Sequence, residues 1–352
     1  MGPVIMTVMM FIPFMLILWL ANYAERSRVE GKPTSAFAVL SYVLLLLLLA
    51  LFVFVGLALQ LVSTLAPGAL AADPGTGTRL LSPEIVAALP RMGLGLWLPS
   101  LLGMFMLLPP VRRLFARAIP IDPGNTVHAV SLSYAMLILA QLLATAGLGL
   151  ANVTSMLDTG EGALQQSSLI PVFWAQEVTW ALMAMVGVGL LSRRNLGQTL
   201  GRLSLTLPKV RQVAAGLGVG VGLAVLAYAA LYAASAVGIG LDKEVEKLSE
   251  LLIGPLTQSA LGIVTLGVAA ALGEESIFRG ALHPRFGLFL TALLFTLLHA
   301  QYGFSLATAV VFVVGLVLGW VRQRNNTSTS MIVHATYNVA VALLALVGTF
   351  GP

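Results

Sequence analysis

Apolar runs long enough to cross a bilayer recur from one end of this 352-residue chain to the other. A helix needs about 20 apolar residues to span a hydrocarbon core roughly 30 Å thick. Inside that core every backbone N–H and C=O must be paired within the protein, which leaves helical bundles and closed barrels. The runs here are continuous Leu, Ala, Val and Gly without the in-out alternation of barrel strands. The fold class expected is therefore all-α: a polytopic transmembrane helical bundle. Hydrophobic residues at 58%, charged residues at 9% and a mean hydropathy of +0.95 exclude a water-soluble globular domain.

About ten spans are predicted, near 3–21, 36–65, 92–109, 129–151, 170–191, 212–239, 257–282, 287–301, 304–321 and 331–349. The third is short and carries Pro99, which suggests a kink or a re-entrant segment. Alternating sides puts 15 of the 19 basic residues on one face and four, Arg79, Arg91, Lys243 and Lys247, on the other. By the positive-inside rule the first face is cytoplasmic and both termini lie outside. That asymmetry explains the net charge of +5 through membrane orientation, so no nucleic-acid partner is expected. The first twenty residues lack a basic n-region, and Arg26, Arg28 and Lys32 follow the apolar run, so it reads as a retained span. The outer stretch 66–91 is turn-rich, and 241–252 (LDKEVEKLSELL) sets Val245, Leu248 and Leu252 on one face of an interfacial helix. There is no cysteine, which excludes disulfides and a thiolate nucleophile or metal site.

Against this background a few polar residues stand out. An ionised side chain near mid-bilayer costs on the order of 2.5–3.5 kcal/mol, so each needs a partner, a water-filled cleft or a function. Glu177, about two turns into the fifth span, is expected to reach interfacial water and carry no chemistry. Glu274 and Glu275 sit well inside an apolar stretch, and adjacent helical residues point about 100° apart. Glu275 and Arg279 are i,i+4 in the favourable order and should neutralise each other as a structural pair. Glu274 meets only Ile277 and Phe278 at i+3 and i+4, which leaves it as the unpaired carboxylate, suited to taking a proton from water. Partners must come from other helices: His299 one turn after Phe295, and His334 with Asn338 on one face of the last span. With the turn placed at HPRF (283–286), Glu274 lies roughly 14 Å deep and His299 roughly 20 Å deep. His283 and His128 are read as interfacial.

In these residues the sequence resembles the CPBP family of intramembrane endopeptidases, the group that includes the CaaX-prenyl protease and the bacterial Abi proteins. Its motifs EExxxR, FxxxH and HxxxN stand here as Glu274-Glu275-Ser-Ile-Phe-Arg279, Phe295-Thr-Leu-Leu-His299 and His334-Ala-Thr-Tyr-Asn338, in the family's order. The resemblance covers about 255–342. It implies a glutamic-type, metal-independent endopeptidase in which Glu274 and His299 activate water and His334 and Asn338 bind the oxyanion. Glu275, Arg279 and Phe295 would support the site. The implied substrate is a membrane-embedded or lipid-modified protein or peptide in the bilayer, and no cofactor or metal is implied. Ser276 departs from the usual aliphatic residue, and the connection from Arg279 to Phe295 is shorter than is usual.

On this reading residues 195–352 form the protease core, 1–194 are accessory spans, and the protein is a multi-pass one of a bacterial inner membrane. Two other readings use the same residues. An unpaired membrane carboxylate beside histidines also suits a proton- or ion-coupled transporter, and a catalytically inactive family member could act as a binding or immunity protein. A zinc hydrolase built on Glu274, His299 and His334 would lack the HExxH pattern, which is absent.

Overall fold

The computed structural model describes residues 2–33, 35–68, 81–158, 166–239 and 242–346. In chain order the helices are α1 (Gly2–Val29), α2 (Ser35–Leu65), α3 (Pro83–Phe105), α4 (Pro109–Phe115), α5 (Thr126–Leu148), α6 (Leu150–Asp158) and α7 (Gln166–Gly187). There follow α8 (Leu196–Leu203), α9 (Val210–Ala236), α10 (Lys243–Thr257), α11 (Ala260–Glu275), α12 (His283–Leu298), α13 (Leu306–Arg324) and α14 (Thr327–Leu346). A π-helical turn (Ser276–Leu282) joins α11 to α12, and a 3₁₀ turn (Ala300–Tyr302) follows α12. Among the described residues nine helical stretches are long and apolar enough to cross a membrane, and no strand is present. The turn-rich stretch expected at 66–91 includes Arg79 and residues 69–80, which lie outside the described residues.

One of the nine stretches, Ala260–Leu298, contains 39 residues. A straight helix of that length would measure about 58 Å, nearly twice the hydrocarbon core. It does not run straight. The rings of Phe278 and Phe295, about 25 Å apart on an ideal helix, have centroids 5.5 Å apart. The chain doubles back at Gly287, whose φ of 75° and ψ of 178° belong to a region that only glycine occupies without a steric penalty. Counted as two legs, this stretch brings the total to the ten expected. The reversal falls later than the HPRF turn because Pro284 sits in the first turn of α12, where its missing N–H costs nothing.

The third span also differs from expectation. It begins at Pro83 rather than near 92 and runs for 23 residues as one helix, with Pro90 and Pro99 inside it, instead of a short or re-entrant segment. Ser82 caps it by accepting from the Ile85 N–H, with Pro83 at the first position and Glu84 in the first turn, so its start was encoded by caps rather than hydropathy. Glycines set the close helix crossings. A methyl at Gly93 would lie 2.4 Å from the Gly56 carbonyl, and one at Gly147 would lie 2.6 Å from the Arg91 backbone. On the other side, Gly220 and Gly267 bring α9 and α11 against Val333–Thr336 and Ala335–Val339 of α14. This is small-residue packing, the means by which membrane helices approach without a hydrophobic driving force.

Polar ties join the halves. The Asn22 amide on α1 donates to the Val186 and Gly187 carbonyls at 3.0 and 2.9 Å. Buried Glu25 accepts from Asn125 and from the Thr126 N–H at the start of α5, where helix polarity favours an anion. The basic loops gather at one end of the bundle: Arg28 pairs with Asp122, Arg26 donates to Ser192, Arg322 to the Arg279 carbonyl and Thr327 to Leu203. At the opposite end α10 starts at the Asp242 cap and buries Val245, Leu248 and Leu256 against α6, α7 and the 3₁₀ turn. Its apolar face is therefore covered by protein, and Leu252, expected on that face, is 42% exposed.

Candidate active site

The site is assembled around the reversal. Glu274 lies thirteen residues before Gly287 and His299 twelve after it, so the two legs bring them level. The depths of Glu274 and His299 estimated from sequence converge once the turn is placed at Gly287 and not at 283–286. The shallower estimate for His334, about 5–9 Å from its own inner end, does not, yet its Nε2 stands 3.9 Å from Glu274 Oε2.

Glu275 is the structural hub. It is fully buried, and its Oε1 accepts from Arg279 Nη1 at 2.8 Å while its Oε2 accepts from Ser330 Oγ at 2.5 Å. His334 Nδ1 stands 3.0 Å from the same Oε1. Arg279, equally buried, also donates to the Gly315 carbonyl at 3.1 Å and lies over the Phe295 ring at 4.2 Å. The expected Glu275–Arg279 pair is thus present, and Phe295 supports it from below the guanidinium. The short connection from Arg279 to Phe295 does not prevent this, because it turns at Gly287. Ser276, in place of an aliphatic residue, returns its hydroxyl to the Leu272 carbonyl at 2.7 Å.

Glu274 is different in kind. Its side chain keeps 12% exposure against none for Glu275, and its Oε2 has no hydrogen-bond partner. His334 Nε2 is 3.9 Å from that oxygen. This is too long for a direct hydrogen bond, but a water oxygen at ordinary bond lengths can touch both. With Nδ1–H given to Glu275, the Nε2 of His334 is the nitrogen turned to the unpaired acid. A carboxylate commonly fixes an imidazole in this manner.

The other two expected members stand nearby with prior engagements. His299 points Nδ1 to the Phe295 carbonyl at 2.8 Å and stacks on Tyr302 at 6.0 Å, leaving Nε2 free. Among the described residues it makes no contact with Glu274 comparable to that of His334. Asn338 donates Nδ2 to the Leu266 carbonyl at 3.2 Å, which fixes the amide against α11 with one hydrogen to spare.

Glu177 was expected at the interface, and the structure corrects this. It is 1% exposed and packed on α11 at Gly273, where an added methyl would lie 2.2 Å from its Oε2. Gln176 donates to its Oε1 at 3.0 Å, and Oε2 has no partner. Glu177 and Glu274 are electrostatic neighbours, as are Glu274 and the Tyr302 phenol. The sequence signal that could have found Glu177 is Gly273, the small residue that lets α7 approach the backbone beside the unpaired acid. His283, also read as interfacial, is 4% exposed with both ring nitrogens unpartnered, packed against Gly319. Among the described residues no group of three or more His, Asp or Glu is placed to share a metal ion.

With this geometry in place, one comparison with known proteins gives a match. Residues 256–340 match the family model of the type II CAAX prenyl endopeptidases. This segment is Rce1-like. The match contains Glu274, Glu275, Arg279, His299, His334 and Asn338, and it ends where α14 passes Asn338. The family is one of CAAX-protease-type membrane endopeptidases, and the nine apolar helical stretches among the described residues make the chain an integral multi-pass membrane protein. Neither the curated proteins nor the solved structures yielded a match to the chain.

Proposed function

We propose that the Rce1-like segment cleaves a peptide bond in a membrane-embedded or lipid-modified protein by direct attack of water, with Glu274 as general base. The observation that carries this is the contrast between adjacent glutamates: Glu275 is saturated by Arg279, Ser330 and His334, while Glu274 Oε2 is unpartnered and faces His334 Nε2 at 3.9 Å. Glu274 takes a proton from water as the oxygen bonds to the scissile carbonyl carbon. The carbonyl oxygen becomes an oxyanion. His334, when Nε2 carries a proton, and the spare Asn338 amide hydrogen donate to it. The proton on Glu274 passes to the leaving amide nitrogen as the C–N bond breaks. His299 assists through Nε2, the nitrogen that Phe295 leaves free. A positioned general base contributes about 10²–10⁴-fold and an oxyanion donor about 10²–10³-fold, so loss of either should be visible in an assay.

The low dielectric around the pair favours this chemistry, since donors in a dry site stabilise developing charge more than they would in water. The test is cleavage of a prenylated CAAX peptide by purified protein, comparing wild type with Glu274→Gln and Glu275→Gln. The reading requires Glu274→Gln to lower turnover by about 10²–10⁴-fold with an unchanged unfolding midpoint. Full activity in that variant ends the proposal.

A further inference from the structure

A cavity of about 610 Å³ lies between the N-terminal helices and the Rce1-like segment. That is the size of a typical small-molecule site, roughly 300–1,000 Å³. Its deep walls are apolar, formed by Phe14 of α1, Ile138 of α5, Trp180 of α7 and Ile277 of the π turn. Phe14 precedes Arg26 by twelve residues on α1, so that wall lies about 18 Å from the basic end of the bundle, whereas Ile277 packs on Val188 and Leu203 close to that end. At that end the same cavity is lined by Arg193, Arg194, Arg202 and Arg285. Glu274, His299 and His334 are not among its walls, although Ile277, Phe278 and Leu298, close to them in sequence, are.

Four like charges around one opening repel each other, and the acids nearby are already engaged. Asp122, on the rim, is held by Arg28 at 2.7 Å, and Glu25 accepts from Arg28, Asn125 and Thr126. Glu25 acts on Arg193 electrostatically, but none of the four arginines is in salt-bridge contact with a carboxylate among the described residues. Arg193 Nε is buried with no hydrogen-bond partner at all. Arg194 and Arg202 donate only to the backbone carbonyls of Val188 and Gly280. Burial first, and neighbouring arginines second, hold the Arg193 and Arg202 guanidiniums down to about 10. The four positive charges outnumber the two acids nearby, Glu25 and Asp122, both of which are already engaged.

The turn before α8 is shaped to produce it. Gly189 has φ 111°, and a methyl there would lie 2.7 Å from Arg193 Cγ and 3.0 Å from Arg194 Nη1. Leu191 takes φ 59°, a left-handed conformation unfavourable for a branched side chain, and leaves its side chain 76% exposed. Arg193 and Arg194 also border a second, polar basin that includes Ser192, Asn195 and Gln198. They therefore stand at a doorway, hydrocarbon on one side and polar surface on the other.

We propose that this cavity binds a phosphate-bearing lipid, one hydrocarbon chain lying between Phe14, Ile138, Trp180 and Ile277 and the phosphate held by Arg193, Arg194, Arg202 and Arg285. The apolar depth requires an amphiphile. The four guanidiniums suit a multiply charged phosphate better than a single carboxylate, because planar forks bind phosphate oxygens bidentately.

The test uses native mass spectrometry of the full chain in detergent, titrated separately with oleoyl lysophosphatidic acid, oleate and inorganic phosphate. One lysophosphatidic acid should bind per chain, at least about tenfold more tightly than oleate or phosphate. Arg193→Gln with Arg202→Gln should weaken it by about tenfold or more, the loss of charge-assisted hydrogen bonds. Arg211→Gln, an exposed arginine at the same end, should change nothing. Ile138→Trp fills the apolar end without touching charge and should also weaken binding, which keeps the test decisive if the arginine variant folds poorly. Equal binding of inorganic phosphate would reveal an anion site without a lipid, and equal binding of oleate would overturn the phosphate assignment. No adduct, or one indifferent to both the arginine pair and Ile138, overturns the proposal altogether. These outcomes do not depend on peptide cleavage.

Discussion

Removing one member of the Glu275–Arg279 pair separates the scaffold of the site from its chemistry. Both side chains are fully buried and 2.8 Å apart, and the carboxylate also accepts from Ser330 and lies against His334. Breaking a buried pair costs about 3–5 kcal/mol, because the survivor is left charged and uncompensated. That is a large share of the 5–15 kcal/mol by which domains are typically stable. At roughly 2 °C per kcal/mol for a long chain, the unfolding midpoint of Arg279→Met should fall by about 6–10 °C. The double variant Glu275→Leu, Arg279→Met removes both desolvation penalties, so its stability should return to within about 1–2 kcal/mol of wild type, about 2–4 °C in midpoint. Activity should not return, because His334 then has no acceptor fixing its Nδ1 and its Nε2 is no longer aimed at Glu274. Thermal unfolding in detergent, followed by circular dichroism, and peptide cleavage on the same preparations measure the two effects independently. The reasoning is refuted if the double variant is as unstable as the single, or if it is stable and cleaves at the wild-type rate.

Glu274→Gln should lower turnover by about 10²–10⁴-fold, the usual contribution of a general base, with the midpoint unchanged since its Oε2 makes no hydrogen bond. Gly273→Ala places a methyl 2.2 Å from Glu177 Oε2 and 2.7 Å from the Glu177 carbonyl, so α7 and α11 must separate. Denaturant titration should show a loss of about 1–3 kcal/mol, and cleavage should fall with it. Gly287→Ala, at a φ of 75° and ψ of 178°, should cost about 1–3 kcal/mol although nothing crowds the added methyl. Asp122 is held below its ordinary value near 3.8, chiefly by its hydrogen bond to Arg28. A depressed carboxyl stabilises the fold fully above that value and loses the contribution as pH falls through its lowered one. Asp122→Asn should therefore flatten the acid limb of stability against pH, by less than about 1 kcal/mol because the pair is largely exposed.

Much of this was legible because membrane folding leaves strong traces. The helical class followed from backbone satisfaction and the span number from the apolar runs, and the pairing of Glu275, but not Glu274, with Arg279 followed from helical spacing. What was not legible depended on tertiary contact or on local geometry that overrides composition. Pro284 looked like a turn but is compatible with the first turn of a helix, so the reversal belonged to Gly287. The start of α3 was hidden by Pro90 and Arg91, although Ser82, Pro83 and Glu84 announced it. Glu177 and Glu25 are buried by partners on other helices, which hydropathy along one helix cannot reveal. The stacking of His299 on Tyr302 comes from a 3₁₀ turn that no periodicity encodes.

The π turn from Ser276 to Leu282 begins directly after the two glutamates and supplies Ile277 and Phe278 to the wall of the large cavity. A widened turn holds one residue more than a regular helix would, and such turns recur at functional sites. Here Arg279, inside the same turn, is fully buried and holds one oxygen of Glu275, while Ser330 holds the other. The side chains that wall the cavity and the one that anchors the acid thus share a single seven-residue piece of backbone.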